Sequence, residues 1–216
     1  MSSKKQNKNA KKKSHMFQEV LTYEQITETL TNTVDGQKIN HIAVSGVDAP
    51  EGASAICASL VQTLSLSHNN ILFIKVHNGA QTNPAGFVAH FEQVLKHQNK
   101  DSDGNTIQIE LSTKDLPRPA STQEDLLKTM MQDLENIFDI IIWDLPPTDK
   151  SARSRMVAQY TQGVVLVVEA GKTRWQTANH TMEHFRFSGC TILGVILNKK
   201  KNYIPNWIYK LLFRDS

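Results

Sequence analysis

The stretch that decides the fold is FDIIIWDLPP, residues 138–147. Four apolar residues separate Asp139 from Asp144, and two prolines follow. A run that is apolar on both faces is typical of a strand buried between two layers of helices. An acid at the carboxyl end of such a strand can serve a ligand site, or it can simply be solvated or cap a helix.

The rest of the chain repeats this pattern of short apolar strands alternating with amphipathic helices. We predict strands at Ile39–Val44, Ile71–Val76, Ile107–Leu111, Phe138–Trp143, Val164–Val168 and Ile192–Leu197. We predict helices at Ser54–Leu66, 84–97 and Thr122–Ile137, and one or two short helices within 17–33. Such alternation indicates an α/β domain with a mostly parallel central sheet flanked by helices. Its ligand site is expected at the carboxyl ends of the strands.

Composition and charge exclude several classes of protein. The 216 residues are 39% hydrophobic and 21% charged, so the chain can bury a core. The longest apolar runs hold only four or five residues, and no apolar segment follows the basic start of the chain, which argues against a membrane span and a secretory signal. Cys57 and Cys190 lie in or beside apolar segments, so we expect buried, unreactive thiols in a reducing compartment. We expect the eight histidines to be surface or hydrogen-bonded polar residues and no pair of them to be a metal site.

The formal charge of +3 hides a strong asymmetry between the ends and the body. Residues 1–15 carry six lysines and no acid, and we predict a disordered basic tail there, followed by a single domain at 16–216. Between 16 and 198 the chain has 13 basic and 20 acidic residues. An acidic body argues against a specific nucleic-acid surface and leaves the basic tail as the contact for an anionic membrane.

The segment SGVDAPEGASA, residues 45–55, has the position and length of a phosphate-binding loop between a strand and a helix. Such a loop needs small residues, a lysine for the phosphate charge and a hydroxyl for Mg²⁺. Gly52 and Ser54 stand where a glycine and the hydroxyl belong, whereas Ala53 stands where the lysine belongs. By itself, the segment is weak evidence for a phosphate site, because a glycine-containing turn between a strand and a helix is more often purely structural.

Three stretches together resemble the CpsD/CapB-type bacterial tyrosine kinases, which belong to the MinD/ParA-like branch of P-loop NTPases. Residues 138–147 are similar to the family pattern YDxxIxDxPP, residues 163–174 to DGvvlVvragkTr and residues 193–198 to GvVLN. The resemblance covers about residues 24–212. It implies a P-loop NTPase-like three-layer fold and a role in capsule or exopolysaccharide synthesis.

The departures from the family pattern concern the chemistry. Besides Ala53, Pro50 replaces a loop glycine and removes one N–H from the phosphate cradle. The acids that normally end the second strand are replaced by Lys75 and His77, and the C-terminal tyrosine cluster is absent. We expect Lys75 to form an ion pair with Asp144 in place of a bound cation.

The resemblance implies a degenerate nucleotide site with no catalytic residue. Its nucleotide-binding residues would be Gly46, Glu51, Gly52, Ser54 and Asn198. If ATP and Mg²⁺ still bind, Ser54 and Asp144 would hold the metal; the expectation is that no cofactor is bound.

The function predicted from this resemblance is that of a pseudokinase or pseudo-ATPase in exopolysaccharide or capsule synthesis and export. It would be cytoplasmic, peripheral at the inner face of the membrane, and would bind a chain-length-determinant (polysaccharide co-polymerase) inner-membrane protein or a true kinase. The alternatives are a divergent ATP-binding tyrosine autokinase or ATPase, and a MinD/ParA-like positioning protein.

Overall fold

The computed structural model describes residues 20–31, 33–34, 37–48, 52–81, 87, 90–92, 106–118, 123–147 and 151–199. A parallel sheet lies at its centre with helices on both faces, which confirms the predicted fold class. Its strands are β1 (Val20–Leu21), β4 (His41–Gly46), β5 (Ile71–His77), β6 (Thr106–Ser112), β7 (Ile140–Leu145), β8 (Gly163–Glu169) and β9 (Ile192–Asn198). A separate two-stranded antiparallel pair consists of β2 (Thr33–Val34) and β3 (Gln37–Lys38).

Five helices are described over their whole length: α1 (Tyr23–Thr31), α2 (Ala53–Leu64), α3 (Gln123–Ile137), α4 (Ala152–Gln159) and α5 (Trp175–Phe187). Local capping explains where two of them begin. Before α1, the Thr22 hydroxyl accepts from the Gln25 N–H and the Gln25 side chain accepts from the Thr22 N–H, a reciprocal capping box. At α4, the Ser151 hydroxyl accepts from the Ser154 N–H.

The strand order is β1-β9-β8-β4-β7-β5-β6, and every neighbouring pair is parallel. Strand β4 therefore lies between β8 and β7, so that the carboxyl ends of these three strands meet at one edge of the sheet. The loop that leads from β4 into α2 lies at this point. Parallel α/β sheets bind ligands where the strand order changes direction in this way.

The alternation of side chains along the strands separates two apolar cores. On one face, α1 and α2 pack against strand residues such as Ile42, Ile142 and Val165. On the other face, α3, α4 and α5 pack against residues such as Trp143 and Leu166. The central strands are thus buried on both faces, as their continuous apolar sequences predict.

Several boundaries differ from the sequence predictions, and one difference matters for the site. The strand expected at Phe138–Trp143 runs instead from Ile140 to Leu145, so Asp144 lies inside the strand rather than after it. The helices α4 and α5 and the β2–β3 pair were not predicted. Of the helix predicted at 84–97, the described residues Phe87 and His90–Glu92 are helical, and the remainder lies outside the described residues.

A buried polar chain joins β7, β4 and α3 beneath the sheet. The Trp143 indole N–H donates to His41 Nε2 at 2.9 Å, and His41 Nδ1 lies 2.8 Å from Glu135 Oε1. His41 and Trp143 are both fully buried. Because an indole nitrogen can only donate, Nε2 must accept, and the His41 proton is therefore on Nδ1, donating to Glu135.

We expect His41→Leu to lower the free energy of unfolding by about 1–3 kcal/mol, because the Trp143 indole N–H would be buried without an acceptor. Urea unfolding measures this loss. The double variant His41→Leu/Trp143→Phe should recover part of it, since no donor is then left unpaired. An exposed histidine, replaced in His180→Leu, is the control. Equal stability of His41→Leu and the native protein would contradict this description of the chain.

Candidate functional site

The first part of the candidate site is the segment that leaves β4. Gly46 is the last residue of β4, and the next residue, Val47, donates its N–H to the Val167 carbonyl at 3.1 Å. This bond fixes the start of the loop against β8. Ala49, Pro50 and Glu51 lie outside the described residues, so the predicted role of Glu51 stays a prediction.

Gly52 is the residue at which the loop enters α2. It has φ 87° and ψ 23°, which is the left-handed conformation that glycine adopts without strain. A Cβ at this position would collide with the side-chain amide nitrogen of Asn198. Asn198 ends β9, and its Oδ1 accepts the Lys199 N–H at 2.8 Å. Two predicted site residues far apart in the chain are therefore in close contact.

Asp144 and Ser54 form the second pair of predicted site residues that the fold brings together. The Asp144 side chain lies within β7, and the residue is only 3% exposed. Burial raises the pKa of its carboxyl above the ordinary value, while a hydrogen bond from the Ser54 side chain and the charge of Lys75 partly oppose this rise in the pKa. A hydroxyl and a carboxylate so placed are suitable ligands for Mg²⁺.

Lys75 lies between two acids in the sheet. Its register partners are Asp144 on β7 and Glu110 on β6. The ion pair that Lys75 makes is with Glu110, at 3.7 Å between Nζ and Oε1, and both side chains are about half exposed. The expected direct pair between Lys75 and Asp144 is therefore wrong, because Lys75 turns toward the exposed carboxylate and acts on Asp144 only through its charge.

Glu169, at the carboxyl end of β8, is a residue that the sequence analysis missed. Its Oε2 lies 3.2 Å from Lys199 Nζ and 3.2 Å from Lys172 Nζ. The hydrogen bond from Lys199, followed by the hydrogen bond and charge of Lys172, holds the pKa of Glu169 below its ordinary value. Glu169 is the register partner of Asn198, so this cluster adjoins the contact between Gly52 and Asn198. Its position at the end of an apolar strand was the signal that could have identified it.

Three described lysines at the carboxyl ends of the strands are thus paired with carboxylates. Lys75 is paired with Glu110, and Lys172 and Lys199 are paired with Glu169. Lysine binds phosphate through its positive charge, and each of these three lysines already has an anionic partner. Phosphate would have to compete with these carboxylates for the lysines.

A cysteine lies close to the Asp144 carboxylate. Cys57, on α2, is buried, and burial together with the negative charge of Asp144 raises the pKa of its thiol. Cys190 is also buried, and burial raises the pKa of its thiol to about 11. Both cysteines are free. The predicted burial of both thiols is therefore confirmed, and a raised pKa disfavours the nucleophilic thiolate.

Comparison with known proteins tests the resemblance. The chain is 26% identical over 207 residues to the tyrosine-protein kinase CpsD of Streptococcus agalactiae, with 90% of each protein covered. The resemblance to CpsD-type tyrosine kinases is confirmed. No family model matches the chain.

The same fold occurs in solved structures of a kinase domain and of a cell division protein complex. The chain superposes on the VpsO kinase domain with a TM-score of 0.57 at 20% identity, covering 88% of this chain and 98% of that one. It superposes on the MinC:MinD cell division protein complex of Aquifex aeolicus with a TM-score of 0.56 at 13% identity, covering 80% and 72%. In the part of the chain that the structure describes, no helix is long and apolar enough to cross a membrane.

The variant Gly52→Ala should be less stable than the native protein by more than the roughly 1–2 kcal/mol that left-handed backbone costs an L-residue. The excess arises from the collision with Asn198. Gly171→Ala is the matched control, because Gly171 has φ 76° with no atom within 4 Å of an added Cβ. Urea denaturation compares the two variants. Equal losses would show that the contact between Gly52 and Asn198 is not close.

The variant Asp144→Asn should be more stable than the native protein at neutral pH. A carboxyl whose pKa is raised in the folded state destabilises the fold once it is ionised, and this penalty disappears as the pH falls toward the unperturbed value of 3.8. The stability difference should therefore shrink on acidification. Thermal melts across pH measure it, with the exposed Asp125→Asn as control. A less stable Asp144→Asn at neutral pH would mean that the ionised carboxylate stabilises the fold.

Proposed function

We propose that this protein is a non-catalytic relative of CpsD-type tyrosine kinases. It retains the fold of the family and has lost phosphoryl transfer. The observation that carries the proposal is the pairing of Lys75, Lys172 and Lys199 with carboxylates at an edge where the phosphate-loop lysine is Ala53. The substituted loop and the paired lysines leave little positive charge for a triphosphate.

The expected losses in binding energy and in rate favour a complete loss of catalytic activity over a moderate decrease in it. A hydrogen bond to a charged group contributes about 1.5–3 kcal/mol. The loss of one preorganised contact to the transition state costs about 10²–10³ in rate. The chain differs from the family at the loop lysine, at Pro50 and at both acids replaced by Lys75 and His77. These losses are not additive, but phosphoryl transfer depends almost wholly on positioning and charge neutralisation.

The partner in this proposal is a membrane protein of capsule or exopolysaccharide synthesis. The resemblance to CpsD supports this assignment. The protein would act in the cytoplasm by binding a chain-length-determinant protein or a true kinase and so regulate polymer assembly. The six lysines within residues 1–15 would add a weak attraction to the anionic inner leaflet, with about 1 kcal/mol for each basic residue near the surface. That segment lies outside the described residues.

An active kinase or ATPase is the second candidate function. The contact between Ser54 and Asp144 favours it, because this pair would hold Mg²⁺ beside ATP if both bind. The two candidates predict opposite results for nucleotide binding, which can be measured directly.

We expect Mg·ATP to bind with a Kd weaker than roughly 100 μM, which corresponds to about −5.5 kcal/mol. Titration calorimetry on the full chain measures the affinity, and a radiolabelled phosphate assay measures autophosphorylation, which should be at background. Ala53→Lys restores one charge, but we expect no activity from it, because the acids missing at Lys75 and His77 remain missing.

The control for this experiment is Ser54→Ala, which removes the hydroxyl beside Asp144. Weak binding that is equal in the native protein and Ser54→Ala fits the proposal, since such binding does not use the loop. Micromolar binding that Ser54→Ala abolishes, or labelling of Tyr203 or Tyr209, would overturn the proposal in favour of an active enzyme.

A further inference from the structure

The outer face of α5 carries two histidines that the candidate site does not use. His180 and His184 are four residues apart, so they lie on the same side of the helix, and both are exposed. Their ring centroids are 4.1 Å apart with an angle of 47° between the ring planes. The two imidazoles are therefore already next to each other in the folded protein.

This arrangement suits two nitrogens that share one metal ion. A zinc–nitrogen bond is about 2.0–2.1 Å long, so two nitrogens on one ion lie about 3 Å apart. Rings whose centroids are 4.1 Å apart can present nitrogens at that separation with small rotations of the side chains. Two histidines at i and i+4 on a helix are also the spacing that zinc-binding helices use.

We propose that His180 and His184 form a two-histidine site for a divalent transition-metal ion. Imidazole is a ligand for Cu²⁺, Ni²⁺ and Zn²⁺, whereas Mg²⁺ and Ca²⁺ prefer oxygen, so the site selects the first class. Within the part of the chain that the structure describes, no group of three or more metal-binding side chains is present. Water therefore completes the coordination of the ion.

The surroundings of the pair leave it open to an ion from solvent. Glu183, the nearest acid along the helix, accepts a hydrogen bond from the Asn179 side chain at 2.8 Å. The opposite side of α5 is buried through Ala178, Met182 and Phe185, which anchor the helix to the sheet. The metal site therefore lies on a rigid support, and forming it requires no change in the core.

Metal binding would be linked to the stability of β8 and β9, the two strands whose ends belong to the candidate functional site. Helix α5 connects β8 with β9, whose ends carry Glu169 and Asn198. An ion that bridges two turns of α5 binds the folded state and not the unfolded chain, so it raises the melting temperature as its concentration rises above Kd. This link offers a second readout besides direct binding.

Calorimetric titration of the full chain with NiCl₂ or ZnCl₂ tests the proposal, with MgCl₂ as the control salt. We expect one ion per chain, and a loss of about tenfold or more in affinity in His180→Gln and in His184→Gln, because each variant removes one of two ligands. The matched control is His68→Gln, which replaces a half-buried histidine after α2. Native affinity in either α5 variant would overturn the proposal.

Thermal melts provide the independent measurement. NiCl₂ should raise the melting temperature of the native protein and of His68→Gln, and EDTA should reverse the shift. The shift should be lost in both α5 variants and should weaken at about pH 5.5, because a ligating imidazole must be deprotonated. A metal-induced shift that is the same in all four proteins would show that the ion binds elsewhere.

Discussion

The Asp144 carboxylate is buried within β7, at the point where the carboxyl ends of three parallel strands meet. A carboxylate taken out of water is costly unless its neighbours stabilise it. Here the neighbours are the Ser54 hydroxyl from the start of α2 and the more distant charge of Lys75 from β5. The loop, the helix and two strands are thus arranged around one anionic group, and the candidate site depends on how that group is satisfied.

Three described lysines at the carboxyl ends of the strands are engaged with acids. Lys75 pairs with Glu110, and Lys172 and Lys199 share Glu169. This edge of the sheet therefore resembles a surface with paired charges more than a phosphate-binding site. The proposal of a non-catalytic protein rests on this combination: the fold is shared with kinases, and the lysines of the candidate site are paired with carboxylates.

Much of the fold could be predicted from the sequence, because the strands are continuous apolar runs. The contacts of Ser54 with Asp144 and of Gly52 with Asn198 follow from the same parallel topology. The direction of a side chain could not be predicted from the sequence. Lys75 has an acid on each neighbouring strand, and only the structure shows that it turns toward Glu110. Likewise, α5 was missed because its buried residues are interrupted by histidines and polar side chains.

The most direct test of the neutralised site is a nuclear magnetic resonance titration of the full chain with Mg·ATP. The amide signals of Gly52, Ser54 and Asn198 report on the loop, the helix start and the strand that contacts them. We predict that these three signals do not approach saturation at ATP concentrations up to about 100 μM, because the expected Kd is weaker than that concentration. Saturable shifts of all three signals at micromolar ATP would contradict it.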